Sequence, residues 1–129
     1  MNKIINSFDI DGVIFMGDYD GVYPGKDDII ITGRSIEEES ETLAMLKSKG
    51  ITNKVYMNPL PFDKKSRKSS GIHKGNTLFD LEKNGISVGI HFEDDPIQAE
   101  EINKIMPNIN VVLLQHNIIE KENVRRPFK

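Results

Sequence analysis

Three consecutive isoleucines, Ile29-Ile30-Ile31, set between Asp28 and Thr32, constrain this chain more than any other feature. A strand whose successive residues are all apolar is covered on both faces, the habit of strands inside parallel sheets. Apolar runs at residues 4–10, 54–57, 88–93 and 110–114 read as further strands. Helical segments stand between them. Ser35 and Glu38 make a capping box, Ile36, Leu43 and Leu46 follow at helical spacing, and Gly50 ends that helix. A second helix is expected over about 71–83, closed by Asn84-Gly85. A third opens at Asp95-Pro96, a capping residue followed by proline at the first helical position, and closes before Pro107. Strands alternating with helices imply right-handed crossovers. The expected architecture is therefore α/β: a three-layer, Rossmann-like fold with about five parallel strands and the first strand central.

With 129 residues, the chain suits one domain, 1–129, with its core over about 4–115 and a polar C-terminal tail carrying Arg125-Arg126 as solubilising charge. No cysteine is present, which excludes disulfides, zinc-thiolate sites and thiol nucleophiles and fits a reducing, cytoplasmic setting. The balance of 17 basic against 20 acidic residues, net −3, excludes a dedicated nucleic-acid coat protein. No apolar stretch is long enough for a membrane, and residues 1–6 are too polar for a signal peptide.

In parallel α/β sheets, ligands bind outside the carboxyl ends of the strands. Asp9 and Asp11 end the first strand, and two carboxylates at i and i+2 on an extended chain face the same way. Such a pair either shapes the turn before Gly12 or, repelling, holds a proton or shares a cation. The second strand ends in Thr32-Gly33-Arg34, a hydroxyl beside backbone N–H groups able to meet an oxyanion. Asn58 ends the third. Glu93-Asp94-Asp95 ends the fourth. Asp95 is explained as a helix cap, whereas Asp94 calls for a hard cation such as Mg²⁺. A basic stretch, residues 64–68, reads mostly as a solvated loop. Lys74, placed by this reading at a helix start where the dipole disfavours cations, asks for an anion nearby. Asp18-Tyr19-Asp20-Gly21 imitates the start of a calcium loop but lacks the later ligands, and reads as a short flap. His91, inside a strand, reads as a core or sheet-surface residue.

The order Asp-x-Asp-Gly-Val, Thr-Gly-Arg, Lys, Asp-Asp resembles the haloacid dehalogenase-like (HAD) phosphohydrolase superfamily over about residues 4–115. The resemblance implies Asp9 as the nucleophile that becomes an aspartyl-phosphate, and Asp11 as the acid and then base. It implies Thr32 and Lys74 on the phosphoryl oxygens. Mg²⁺ would be held by Asp9, the Asp11 carbonyl and Asp94, with Asp95 as direct ligand or support. Thr32 lies 21 positions after Asp11, and Lys74 lies 42 after Thr32, so no cap domain fits. Capless members usually act on large substrates that themselves cover the site, or borrow a lid from another subunit, and the aspartate pair is similar to that of polynucleotide kinase phosphatase domains and deoxyribonucleotidases. The expected partner is thus a nucleotide or nucleic-acid phosphate end, met by Gly33, Arg34, Lys64 and Lys68. A catalytically silent phosphate-binding relative is the main alternative. A phospho-accepting receiver domain is a weaker one, because its acceptor belongs at the end of the third strand.

Overall fold

The computed structural model describes residues 4–121. Its strands are β1 (Ile4–Phe8), β2 (Phe15–Met16), β3 (Tyr19–Asp20), β4 (Ile29–Ser35), β5 (Val55–Asn58), β6 (Ser87–Glu93) and β7 (Asn110–Leu113). Its helices are α1 (Glu39–Ser48), α2 (Arg67–Lys83) and α3 (Pro96–Ile105). Five strands form one parallel sheet in the order β5-β4-β1-β6-β7, so β1 is central as expected. The remaining two, β2 and β3, pair antiparallel as a small flap. Residues 1–3 and the Arg125-Arg126 stretch lie outside the described residues.

The isoleucine run behaves as its composition demands: every residue of β4 is buried. Alternation sends Ile30 to one face, where it joins Phe8, Ile10, Val13, Ile14, Leu46 and Ile51 against α1. Ile29 and Ile31 point to the other, against Leu78 and Leu81 of α2 and Ile102 of α3. Phe8 and Phe92, paired across β1 and β6, stack with centroids 4.6 Å apart.

Three local expectations are corrected. The capping box at Ser35 is present, with Glu37 N donating to Ser35 Oγ at 3.1 Å and Ser35 N to Glu38 Oε1 at 3.1 Å, but it opens a 3-10 turn, Ile36–Glu38, ahead of α1. Ile36 and Leu43 are not its inner face: they are 45% and 44% exposed, and only Leu46 and Thr42 of α1 are buried. α2 starts at Arg67, a turn before the expected Gly71, because Ser66 and Ser69 cap it reciprocally. Gly71 is no breaker there, since a Cβ would lie 2.8 Å from Glu101 Cβ and 2.9 Å from Gln98 Cα, so its bareness lets α2 press on α3.

The same shift relocates Lys74. It sits in the third turn of α2, not at the helix start, and the dipole argument for an anion beside it does not apply. Nor is the basic stretch uniformly solvated: Lys64 and Lys68 are exposed, but Lys65 is buried with Nζ 4.9 Å from the Phe62 ring centroid. The segment after β7 does not simply trail away either, because His116 and Lys121 return to β1 and β6.

Candidate active site

Asp9 leaves β1 still tied to its neighbour, with Asp9 N donating to Phe92 O at 3.0 Å, which aims the carboxyl group along the sheet's carboxyl edge. Three residues later the chain turns through Gly12 at φ +86°, where a Cβ would strike the Asp94 carboxylate. Only glycine allows both that conformation and that approach. The turn therefore brings Asp94, at the end of β6, against the loop carrying Asp9 and Asp11.

Lys74 reaches this edge from α2. Its ammonium lies 2.8 Å from Glu93 Oε1 and 3.1 Å from Asp9 Oδ1, and the residue is 1% exposed. Glu93 is anchored further: His91 Nε2 lies 3.1 Å from Oε1, and Asp95 N donates to Oε2 at 3.3 Å. Ser7 Oγ lies 2.7 Å from His91 Nδ1. An ionised Glu93 can only accept, so His91 carries its hydrogen on Nε2 and accepts from Ser7. Burial pushes the His91 ring below its usual pKa, so it is neutral. His91 is thus a core residue, as expected, and a member of a chain of contacts Ser7–His91–Glu93–Lys74–Asp9.

The carboxylates divide unequally around that ammonium. Burial alone would raise Glu93, but Lys74 and the His91 hydrogen bond outweigh it and draw it down to about 2. Asp9 goes the other way: burial and then the Glu93 charge push it well above the ordinary range, against the pull of Lys74. Asp94 is raised by burial and by Glu93, with Lys121 opposing. Burial and crowding thus disfavour the ionised forms of Asp9 and Asp94, and a cation between them would favour those forms again.

Space and donors for one are present. A cavity of about 10 Å³ is lined by Asp9, Asp11, Asp94, Gln98 and Glu120, near the size of a single water or small ion. Carboxylate oxygens of Asp9, Glu93 and Asp94 all lie within 4.8 Å of one another. Glu93 is already committed to Lys74, His91 and Asp95, which leaves Asp9 and Asp94 as the freer pair. Gln98 gives Nε2 to Asp95 Oδ2 at 3.1 Å, and its buried Oε1 has no hydrogen-bond partner among the described residues. A set of oxygens without sulfur or imidazole suits Mg²⁺ or Ca²⁺.

The other expected residues have more specific partners than their sequence suggested. Asp11 also lines the cavity, but its carboxylate sits in the fork of Arg34, with Nε to Oδ2 at 2.9 Å and Nη2 to Oδ1 at 2.8 Å. Arg34, whose Nη1 also donates to Thr42 at 3.1 Å, is buried and faces Asp11 instead of an open surface. Thr32 is wholly buried and its Oγ1 accepts from Arg34 N at 3.0 Å. Gly33 is fixed from β5, where Asn58 Nδ2 donates to its carbonyl at 3.4 Å. Asp95 is the α3 cap, accepting from Ile97 N at 2.9 Å, and is gripped by Arg67 at 2.7 and 2.9 Å. Its oxygens are occupied, and it stands outside the metal-competent group.

Glu93, Arg67, Gln98 and Lys121 are the site residues that sequence reasoning missed. A signal existed for the first. Ser7, Asp9, His91 and Glu93 share one parity on adjacent paired strands, forming a polar stripe facing α2. Compared with known proteins, the chain matches no family model and has no significant match among curated proteins.

Proposed function

We propose that this chain is a Mg²⁺-dependent phosphomonoester hydrolase working through an aspartyl-phosphate on Asp9, a capless relative of the HAD phosphohydrolases. One observation carries the reading: a fully buried ammonium 3.1 Å from the carboxylate that ends the central strand, beside an ion-sized acidic cavity. A carboxylate approaches a phosphate dianion only where fixed positive charge offsets the repulsion. Lys74 supplies part of it, and Glu93 holds that lysine charged and pointed.

Asp9 attacks phosphorus while the ester oxygen leaves with a proton from Asp11. A water then attacks the phosphoryl group, Asp11 takes the water's proton, and Asp9 is released as a carboxylate. Arg34 steadies Asp11 in its ionised form, the form this second step needs. The Thr32 hydroxyl and Lys74 hold the phosphoryl oxygens. Asp9, Asp94 and the Asp11 carbonyl would hold Mg²⁺, which when bound adds charge neutralisation at those oxygens.

The substrate class is a nucleotide or nucleic-acid phosphate end. The chain order supports this, because only the β2–β3 flap intervenes between β1 and β4, with no inserted domain there to confine the substrate to a small molecule. Arg67 ties the basic stretch to that edge through Asp95, with Lys68 beside it and Lys64 exposed nearby. The grip of Arg34 on Asp11 favours one second reading, a silent domain that binds phosphate without turning it over.

Hydrolysis of an aryl phosphate and of phosphorylated oligonucleotides decides between them. Turnover is expected with Mg²⁺, lost in EDTA and abolished by Asp9→Asn. Wild-type protein that binds orthophosphate but releases no product would establish the silent reading. Turnover surviving Asp9→Asn would end the covalent mechanism.

A further inference from the structure

After β7 the chain doubles back across the loop that follows β1. His116 Nε2 lies 2.7 Å from Gly12 O, and Ile118 N donates to His116 Nδ1 at 3.2 Å. That second bond fixes the ring with its hydrogen on Nε2, so His116 donates to the Gly12 carbonyl. Ile119 then lies over Gly17, where a Cβ would meet its Cδ1 at 3.7 Å. Glu120 follows as a wall of the acidic cavity. Lys121 completes the run, its Nζ donating to Asp94 O at 2.8 Å and to Asp94 Oδ2 at 3.0 Å. His116 and Lys121 thus hold the run to the Gly12 turn and to Asp94, and Glu120 walls the cavity between them.

We propose that residues 116–121 form a built-in strap whose Lys121 ammonium is a tethered cation at Asp94, displaced when Mg²⁺ binds. This inference rests on reading Asp94 as a metal ligand. Two cations within a few ångströms of one carboxylate oxygen repel strongly in a partly buried site, so Lys121 and a divalent ion compete for Asp94. The tether makes the competitor permanently available at high effective concentration. Losing the Lys121 contact also loosens the strap over the cavity, so metal loading and access to Asp9 are linked. In the metal-free protein the lysine offsets part of the acid repulsion that Mg²⁺ offsets afterwards.

The test is calorimetric titration of Mg²⁺ into the full chain and into Lys121→Met, which keeps the side chain's length and removes its charge. Met is expected to tighten Mg²⁺ binding about two- to fivefold, the span of a part-exposed ion pair. Equal or weaker binding by the variant overturns the strap while leaving the metal reading intact. No binding to either protein brings down both. A second readout is independent of turnover: amine-reactive footprinting followed by mass spectrometry. Lys121 should label faster once Mg²⁺ is bound, with Lys64 unchanged as the exposed control. A Lys121 rate that does not move in Mg²⁺-saturated protein overturns the proposal.

Discussion

Glu93 shows how much of this site depends on a residue with no chemistry of its own. Both oxygens are used, and neither faces an open surface, since Glu93 is wholly buried. Its task is to hold Lys74, whose charge would otherwise be costly at such burial. Glu93→Gln keeps the shape and removes the counter-charge, and should destabilise the fold by about 3 kcal/mol. The double change with Lys74→Met should cost clearly less than the sum of the two, because the first change already breaks the pair. Urea unfolding of the four proteins measures this, and additive costs would show the contact is not energetically coupled. That Asp9, Asp11 and Asp94 would meet at the carboxyl edge of the sheet was legible, because they follow the ends of β1 and β6, whereas Lys74 joins them from inside α2 and not from its start. Arg34 on Asp11 and Arg67 on Asp95 were not legible, because an arginine's choice of partner 23 or 28 positions away is settled by packing alone.

Among the elements, α2 was the hardest to read and the most consequential. Glycine weakens an isolated helix by about 1 kcal/mol relative to alanine, so Gly71 sits inside α2 against its own preference. Contact with α3 overrides that preference, as a Cβ would be set 2.8–3.0 Å from Glu101 and the backbone of Gln98. Gly71→Ala therefore discriminates. Local propensity alone predicts a gain of about 1 kcal/mol, whereas overpacking against a neighbouring helix predicts a loss of about 1–3 kcal/mol. Thermal unfolding should show the loss, and a raised Tm would mean that α3 yields easily. The strands and α3 were legible to within a residue or three, since alternation, apolar runs and Asp95-Pro96 are local signals. The solvent-facing side of α1 and of the 3-10 turn before it was not, because Leu43 and Ile36 fit a helical period yet point to solvent.

For the molecule as a whole, acid stability follows from a group that catalysis does not use. Burial, then the charge of Lys74, hold His73 at about 4 against its usual 6.5, with the Tyr56 and Thr32 carbonyls opposing. A histidine depressed on folding stabilises the native state fully above its unfolded pKa. That contribution is lost as pH falls from about 6.5 toward 4, and amounts to roughly 3 kcal/mol at most. His91 is depressed in the same sense, so the window has two contributors. His73→Gln should narrow the gap in unfolding free energy between pH 7.5 and pH 5, and an unchanged gap would place the acid sensitivity elsewhere. The place of β1 at the centre of the sheet carries a different consequence, for the order in which the chain can fold. Ser7 lies opposite His91, 84 positions later, and Phe8 opposite Phe92. During synthesis at about 5–20 residues per second, β1 waits roughly 4–17 s for β6 to emerge. Until then one side of the first strand has no partner, and Asp9 has neither Lys74 nor Glu93 in place. A strand made late completes the earliest one, so a ribosome-bound chain stalled before β6 should display an open strand edge of the kind that chaperones hold.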